Sequence, residues 1–373
     1  MKAKAVLCRA WNQPVSVEEV EVDAPRPDQV LVRVEAVGVC HSDLSALKGI
    51  LPLPPPSVLG HEACGTVVAV GENVTECAVG DRVIPCWIPT CGACVFCTAG
   101  RSVLCDDFVK SFFGPKDGSR CVRDSQGREL NVFSGVGAMA EYTILHRDSV
   151  VVIDRDVPPE KAALVGCAVL TGVGAARTRA RVRAGSACVV FGAGGVGLSV
   201  IQGCRLAGAA RVVAVDLADD KLELARRLGA THSVNPTRDG DPAAAVKAHC
   251  GGLGADYAFE AVGSSETILQ AYQSLRKGGT AVVIGVAKLD ATVTLPIGTL
   301  WVEEKGLLGS VYGSGNPKRD IPELIALYRS GRLLLDELVS ETYSIDDAPR
   351  AFADLERGRV GRGVIVMPGA AGG

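Results

Sequence analysis

Val189-Val190-Phe191-Gly192-Ala193-Gly194-Gly195-Val196-Gly197 is the stretch that decides the fold. Three apolar residues in a row read as the core of a fully buried strand, and the glycine run that follows opens a helical pattern from Val196 to Ala207. In that setting Gly192 permits the tight turn, Gly194 lets backbone approach a pyrophosphate, and Gly197 lets helix pack closely on strand. The helix N-terminus then presents unpaired amides and the positive end of its dipole to phosphates. Asp216 stands 24 residues beyond Gly192, at the end of the next strand-like run. A carboxylate there accepts the hydroxyls of an adenosine ribose and repels a 2′-phosphate. Leu217, Ala218, Asp219 and Asp220 supply no arginine for such a phosphate, so NAD is expected rather than NADP, with Lys221 as a second ribose contact.

Outward from this turn, strand patterns at Cys188 to Gly192, Arg211 to Asp216, His232 to Val234, Tyr257 to Glu260, Thr280 to Gly285 and Gly306 to Ser310 alternate with helical ones. Six strands with intervening helices predict a doubly wound parallel sheet of the α/β class. The first 150 residues read differently. Short runs such as Val30 to Val34, Val67 to Val70, Arg82 to Pro85 and Tyr142 to Leu145, punctuated by Pro25, Pro27 and Gly38, have the texture of small antiparallel strands. Asp106 to Gly135 shows no period and is expected to be a surface excursion. A helix around Ala163 to Ala176 leads into the second domain, and a helix at Ile321 to Ser330 and a strand at Gly363 to Met367 are expected to return to the first. The expected domains are therefore 1–168, 169–311 and a returning 312–373.

At 373 residues, two domains are the natural expectation. A formal charge of −3 gives no reason to expect a nucleic-acid or membrane-surface partner. No apolar run approaches the roughly 18 residues of a membrane span, and Met1 to Ala10 lacks the apolar centre of a signal peptide. A cytoplasmic protein is expected, in whose reducing surroundings the 14 cysteines are free to hold metal.

Cys91, Cys94, Cys97 and Cys105 follow the pattern CxxCxxCx7C on a loop bearing Gly92 and Gly100. Such steps let four thiolates converge on one tetrahedral zinc, a closed shell that staples a loop and binds no substrate. Cys40, His61 and Cys167 are dispersed, and spacing does not join them. The same three serve equally well as buried thiols and a core imidazole, or as two thiolates and a neutral ring that cancel the charge of Zn²⁺ and leave a fourth position open. The remaining eight cysteines, Cys8, Cys64, Cys77, Cys86, Cys121, Cys188, Cys204 and Cys250, read as small buried hydrophobes.

With Cys40-His41-Ser42-Asp43, Gly60-His61-Glu62, the four-cysteine loop, Cys167 and the Gly192 turn in this order, the chain resembles the zinc-dependent medium-chain alcohol dehydrogenases over essentially its whole length. The resemblance implies a GroES-like β-rich catalytic domain, a Rossmann domain for NAD, an active-site cleft between them and two zinc ions per chain, one catalytic and one structural. It makes Cys40, His61 and Cys167 the catalytic zinc ligands, with Glu62 a carboxylate that approaches the metal transiently and Asp43 the partner that orients His61. Ser42 takes the place of the hydroxyl that receives the substrate's proton, and His41 that of a basic residue near the pyrophosphate. Thr171 and Val196 would flank the nicotinamide, and Arg362 matches a second phosphate contact. Where many relatives carry a histidine to end the proton relay, this chain has Ser45.

The expected reaction is oxidation of a primary aliphatic, allylic or benzylic alcohol to its aldehyde, or the reverse, with Leu51, Trp87, Phe133 and Val286 as apolar pocket walls. Relatives that act on glutathione-bound formaldehyde carry an acidic residue near position 51 and an arginine near 109, where this chain has Leu51 and Val109. These departures lower the thiol-dependent formaldehyde dehydrogenase or S-nitrosothiol reductase to the alternative enzyme, kept because Lys110 is adjacent, and a catalytically silent NAD-binding sensor is the alternative of another class. The long Asp106 to Gly135 excursion resembles that of dimeric members, implying a homodimer.

Overall fold

The computed structural model describes residues 1–358 and 361–369. Two compact units emerge: Met1–Cys167 with Asn316–Ser330 and Val339–Gly373, and Ala168–Gly315 with Gly331–Leu338. The chain thus passes back to the first unit at 316, and the returning segment is interrupted by 331–338, which belongs to the second unit. There Gln202 ties the interruption down, donating to the Leu334 carbonyl and accepting from its amide, each at 2.8 Å.

In the first unit the eleven-residue strand Gln29–Val39 is central, pairing with Ala63–Val70, Tyr142–His146 and Gly363–Val366 in a seven-stranded sheet. Val30, Val32 and Val34 face one core, and Leu31 faces another. A register shift between Val34 and Ala36 changes the parity, so that Val37 and Val39 rejoin the core of Val30. One extra residue in a strand moves every later side chain to the other face, and here it determines how Cys40 leaves the strand. Strands Lys2–Cys8, Ser16–Val22, Ser57–Val58, Val122–Asp124 and Asn131–Val132 form a second sheet.

The last two of these strands lie inside the expected surface excursion. Val122–Asp124 pairs antiparallel with Ser16–Val22, and Asn131–Val132 pairs parallel with Ser57–Val58. Strands of two and three residues are too short to leave a period in the sequence.

In the second unit six parallel strands lie in the spatial order His232–Val234, Arg211–Val215, Ala187–Phe191, Ala255–Glu260, Leu275–Val283, Gly306–Gly309. This is the 3-2-1-4-5-6 arrangement of a doubly wound sheet, whose direction of winding reverses beside Ala187–Phe191. Among the described residues no helix is long and apolar enough to cross a membrane.

Candidate active site

Cys40 ends the central strand and caps the helix His41–Leu47. Asp43, fully buried in the first turn, accepts hydrogen bonds from the Gly60 amide at 2.8 Å and the Cys40 amide at 3.4 Å, and faces His61 Nδ1 at 3.3–3.4 Å. One carboxylate therefore fixes both the strand end and the imidazole, leaving Nε2 as the ring nitrogen free for another partner. Cys167 comes from a different kind of local structure. The expected helix at Ala163 to Ala176 is interrupted by a wide turn over Val165–Val169, and Cys167 sits at its centre. Such single wide turns redirect side chains that a regular helix would place elsewhere.

The ligand atoms of Cys40, His61 and Cys167 lie within 4.8 Å of one another, and all three residues are buried. Two sulfurs bound at about 2.3 Å to a tetrahedral zinc are about 3.8 Å apart, so this cluster has the size of a zinc site. Its electrostatics point the same way. The hydrogen bond from Cys167 holds the Cys40 thiol well below its ordinary value, against burial and with help from Arg362 and His61. That same bond, together with burial, pushes Cys167 well up. Burial would lower His61, but Asp43 and Cys40 raise it well above the usual imidazole range. Without a metal the three share protons that a divalent cation would displace.

Arg362, expected as a phosphate contact, has a carboxylate partner in this structure. It is 3% exposed and bonded to Glu62, which is itself fully buried. Burial works against its charge, yet Glu62, Cys40 and Cys167 hold the guanidinium above its ordinary value. The pair also explains Gly38, where a Cβ would fall 2.4 Å from Glu62 Oε2. Glu62, expected to approach the metal, is thereby tethered beside the cluster. The pairing has no local signature, because the two residues are 300 positions apart.

Around His61 stands a set of rings. Trp87 and Phe133, both expected in the pocket, cross its edge at centroid distances of 6.3 and 5.2 Å. Phe108 and Phe112 join them, and sequence reasoning missed both because they lie in the aperiodic excursion. Leu51 is half-buried against the same core as Trp87. Ser42 is half-buried and His41 exposed on the first turn of their helix.

The four-cysteine loop also closes. The Sγ atoms of Cys91, Cys94, Cys97 and Cys105 lie within 4.8 Å of one another, Cys91 and Cys97 at 4.0 Å. Backbone amides aim at the sulfurs, that of Cys94 at Cys91 Sγ at 3.3 Å and that of Cys91 at Cys105 Sγ at 3.4 Å. The amides of Cys97 and Asp106 bring the Cys94 thiol down to about 6, while burial raises Cys97 and Cys105. Of the other eight cysteines all are buried except Cys77, which is half-buried.

In the second unit the glycine turn joins strand Ala187–Phe191 to helix Gly195–Leu206. Gly192 has φ +90°, and a Cβ on Gly197 would sit 1.7 Å from the Gly192 carbonyl oxygen, so no other residue fits there. Asp216 accepts from the amides of Ala193 at 2.7 Å and Ala218 at 3.0 Å, which binds the second strand's end to the turn and leaves carboxylate lone pairs for a further donor. Gly194 is open, with nothing within 4 Å of where a Cβ would be, and Lys221 is half-buried on the next helix. Thr171 and Val196 come from helices that touch where Gly172 meets Val196. Val286 lies 44% exposed, just beyond the strand Leu275–Val283.

Comparison with known proteins agrees with this architecture. Residues 26–155 match the family described as alcohol dehydrogenase GroES-like domain, and residues 195–330 that described as zinc-binding dehydrogenase. The NDMA-dependent alcohol dehydrogenase of Amycolatopsis methanolica is 39% identical over 370 residues, 98% of this chain and 99% of that one. The chain belongs to the zinc-dependent medium-chain alcohol dehydrogenases. As a member of that family it is an oxidoreductase with a GroES-like domain and a Rossmann-type domain. Two solved alcohol dehydrogenase structures are similar throughout. The zinc-binding domain protein of Burkholderia ambifaria has TM-score 0.93 and 35% identity, covering 99% of both chains. The benzyl alcohol dehydrogenase of Acinetobacter calcoaceticus has TM-score 0.90 and 34% identity, covering 98% of this chain and 99% of that one.

Proposed function

We propose that the protein is a zinc- and NAD-dependent dehydrogenase that interconverts a primary alcohol and its aldehyde. The observation that carries this reading is the buried convergence of Cys40, His61 and Cys167, with Asp43 fixing the imidazole. Two thiolates and one neutral ring would hold Zn²⁺ and balance its charge. A zinc held there would supply Lewis acidity toward an alcohol oxygen, and NAD on the Gly192 turn would accept the hydride.

The chain's own groups do the rest. Asp43 keeps Nδ1 occupied, so that His61 would offer Nε2 to a metal. Glu62 and Arg362 pair beside the cluster, and the guanidinium also favours the thiolate form of Cys40. Ser42 receives the substrate's hydroxyl proton at Oγ, and with Ser45 where relatives carry a histidine the proton continues to water. Asp216 holds the ribose and disfavours a 2′-phosphate. Cys91, Cys94, Cys97 and Cys105 would hold a second zinc with no open position, fastening their loop.

Two further readings accompany this one. The protein is a homodimer, for which the exposed Leu289, Ile297, Leu300, Trp301 and Val302 of the second unit are the support. It resides in the cytoplasm, where its free thiols suit a reducing environment.

The test is an NAD-linked activity screen over short, long, allylic and benzylic alcohols, with and without a low-molecular-weight thiol, on protein of known zinc content. Turnover without thiol is expected. An absolute thiol requirement would favour the formaldehyde or nitrosothiol reading, and two zinc ions with no turnover would favour a silent sensor. NDMA as an acceptor checks whether the dependence named for the Amycolatopsis protein extends to this one.

A further inference from the structure

We propose that His232 and His249 form a third metal site, on the second unit and separate from both cysteine-containing clusters, which takes a divalent cation of the Ni²⁺ or Cu²⁺ kind. The inference goes beyond the dehydrogenase reading and does not depend on it.

Two of the chain's five histidines meet here from different elements. His232 opens the edge strand His232–Val234, and His249 ends the helix Pro242–His249. Both residues are half-buried, with ring centroids 4.8 Å apart and planes inclined at 43°. That inclination is neither an offset stack nor an edge-to-face crossing. Two imidazoles that bind one cation at about 2.0–2.1 Å have centroids about 4.5 Å apart at a right angle and about 5.2 Å apart at the tetrahedral angle, and the observed spacing falls between these limits.

Thr231 settles which ring nitrogen of His232 is left for a ligand. His232 Nδ1 meets Thr231 Oγ1 at 2.9 Å. That hydroxyl accepts from the Val212 amide at 2.9 Å and donates its one proton to the Val212 carbonyl at 3.1 Å, so the ring is the donor between them. Nδ1 therefore carries the proton and Nε2 keeps the lone pair. Metal-binding histidines are oriented in this way, the second nitrogen donating to a fixed oxygen. Burial, with His249 and Arg211, also holds His232 below the usual imidazole range, and the neutral ring is the form that ligates.

The surroundings accept a cation without a thiolate. The C-terminus of the helix Pro242–His249 turns the negative end of its dipole toward the pair. The Asn235 amide, Arg238 and, more weakly, His249 hold the Asp239 carboxyl below its usual range, so a carboxylate stands in the field of that ring, with Arg211 as the opposing charge. Among the described residues no Cys, Asp or Glu completes a three-ligand group with the two rings, and water would fill the remaining positions. Cys250, the next residue, is buried, which raises its thiol and keeps it protonated. Two imidazoles and water suit Ni²⁺ and Cu²⁺, whereas the thiolate clusters suit Zn²⁺. Since His232 begins its strand, the pair lies at the opposite edge of the parallel sheet from the Gly192 turn, away from the nucleotide site.

The experiment titrates Ni²⁺ calorimetrically into untagged holoenzyme carrying its own zinc, and repeats it on His232→Gln, His249→Gln and Thr231→Val. Diffraction at the nickel edge locates the ion. One nickel per chain is expected, at bonding distance from His232 Nε2 and a ring nitrogen of His249, with a melting temperature that rises with nickel concentration. Each glutamine variant should weaken nickel binding at least about a hundredfold and abolish that rise with zinc content unchanged, and Thr231→Val, which keeps both rings, should weaken it about tenfold. No bound nickel, a nickel peak away from the pair, or an affinity untouched in both glutamine variants overturns the proposal.

Discussion

The four-cysteine loop and the Cys40, His61, Cys167 cluster are built from similar donor atoms by opposite means. The loop draws all its thiols from 15 consecutive positions, 91 to 105, three of them half-exposed, and positions them with its own backbone amides. The cluster draws on a strand end, a loop and a wide helical turn spread over more than 120 positions, and all three residues are buried. Its geometry depends on Asp43, on the register shift in the central strand and on the Glu62–Arg362 pair beside it. A local site stabilises one loop, whereas a site assembled from distant segments is only as sound as the fold beneath it. The difference suits a closed structural metal in the first case and an open reactive one in the second.

The sharpest way to break this contrast is His61→Ala. It is expected to lower kcat/KM at least about a thousandfold and to remove one zinc equivalent while the melting temperature moves little. A variant that keeps both activity and two zinc ions would mean that His61 holds no metal. Cys94→Ser, in the loop, should do the reverse. One zinc is lost and the melting temperature falls by on the order of 10 °C, while kcat of the protein that remains folded changes less than about twofold. Should kcat collapse at a temperature where folding is intact, the loop is more than a staple.

How much of each site could be read beforehand follows from the same difference. The CxxCxxCx7C spacing exposes the loop because its ligands are neighbours in sequence, and the strand, turn and helix around Gly192 are legible for the same reason. Cys40, His61 and Cys167 could be joined only through the family resemblance, since the wide turn at Val165–Val169 has no mark in a run of small apolar residues. The bond between Arg362 and Glu62 was not legible, because a lone arginine does not announce a carboxylate 300 positions away. Phe108 and Phe112 went unnoticed in a segment whose short 3-10 helices and strands carry no period. The passage of 331–338 into the second unit rests on the exchange between Gln202 and Leu334, again a pairing without a local signature.

Smaller effects sharpen what sets the buried cluster apart. Asp43→Asn keeps the shape but loses the charge that raises His61, and about a tenfold to hundredfold loss of zinc affinity at the catalytic position is expected, measured by competition with a chelator. Zinc binding at the four-cysteine loop should be untouched, and equal weakening of both sites would count against the division of roles. The least change is expected from Ser45→His, which gives the relayed proton a base. Alcohol oxidation should rise a few-fold below neutral pH. An unchanged pH profile would show that proton release does not pass this position.

The central claim is that Cys40, His61 and Cys167 share one zinc ion distinct from that of the cysteine loop, and anomalous diffraction at the zinc edge tests it directly. Two peaks are expected in each chain, one about 2.3 Å from the Sγ atoms of Cys91, Cys94, Cys97 and Cys105, the other at bonding distance from Cys40 Sγ, Cys167 Sγ and His61 Nε2. A fully zinc-loaded crystal with a peak at the loop and none at the buried cluster would contradict the account.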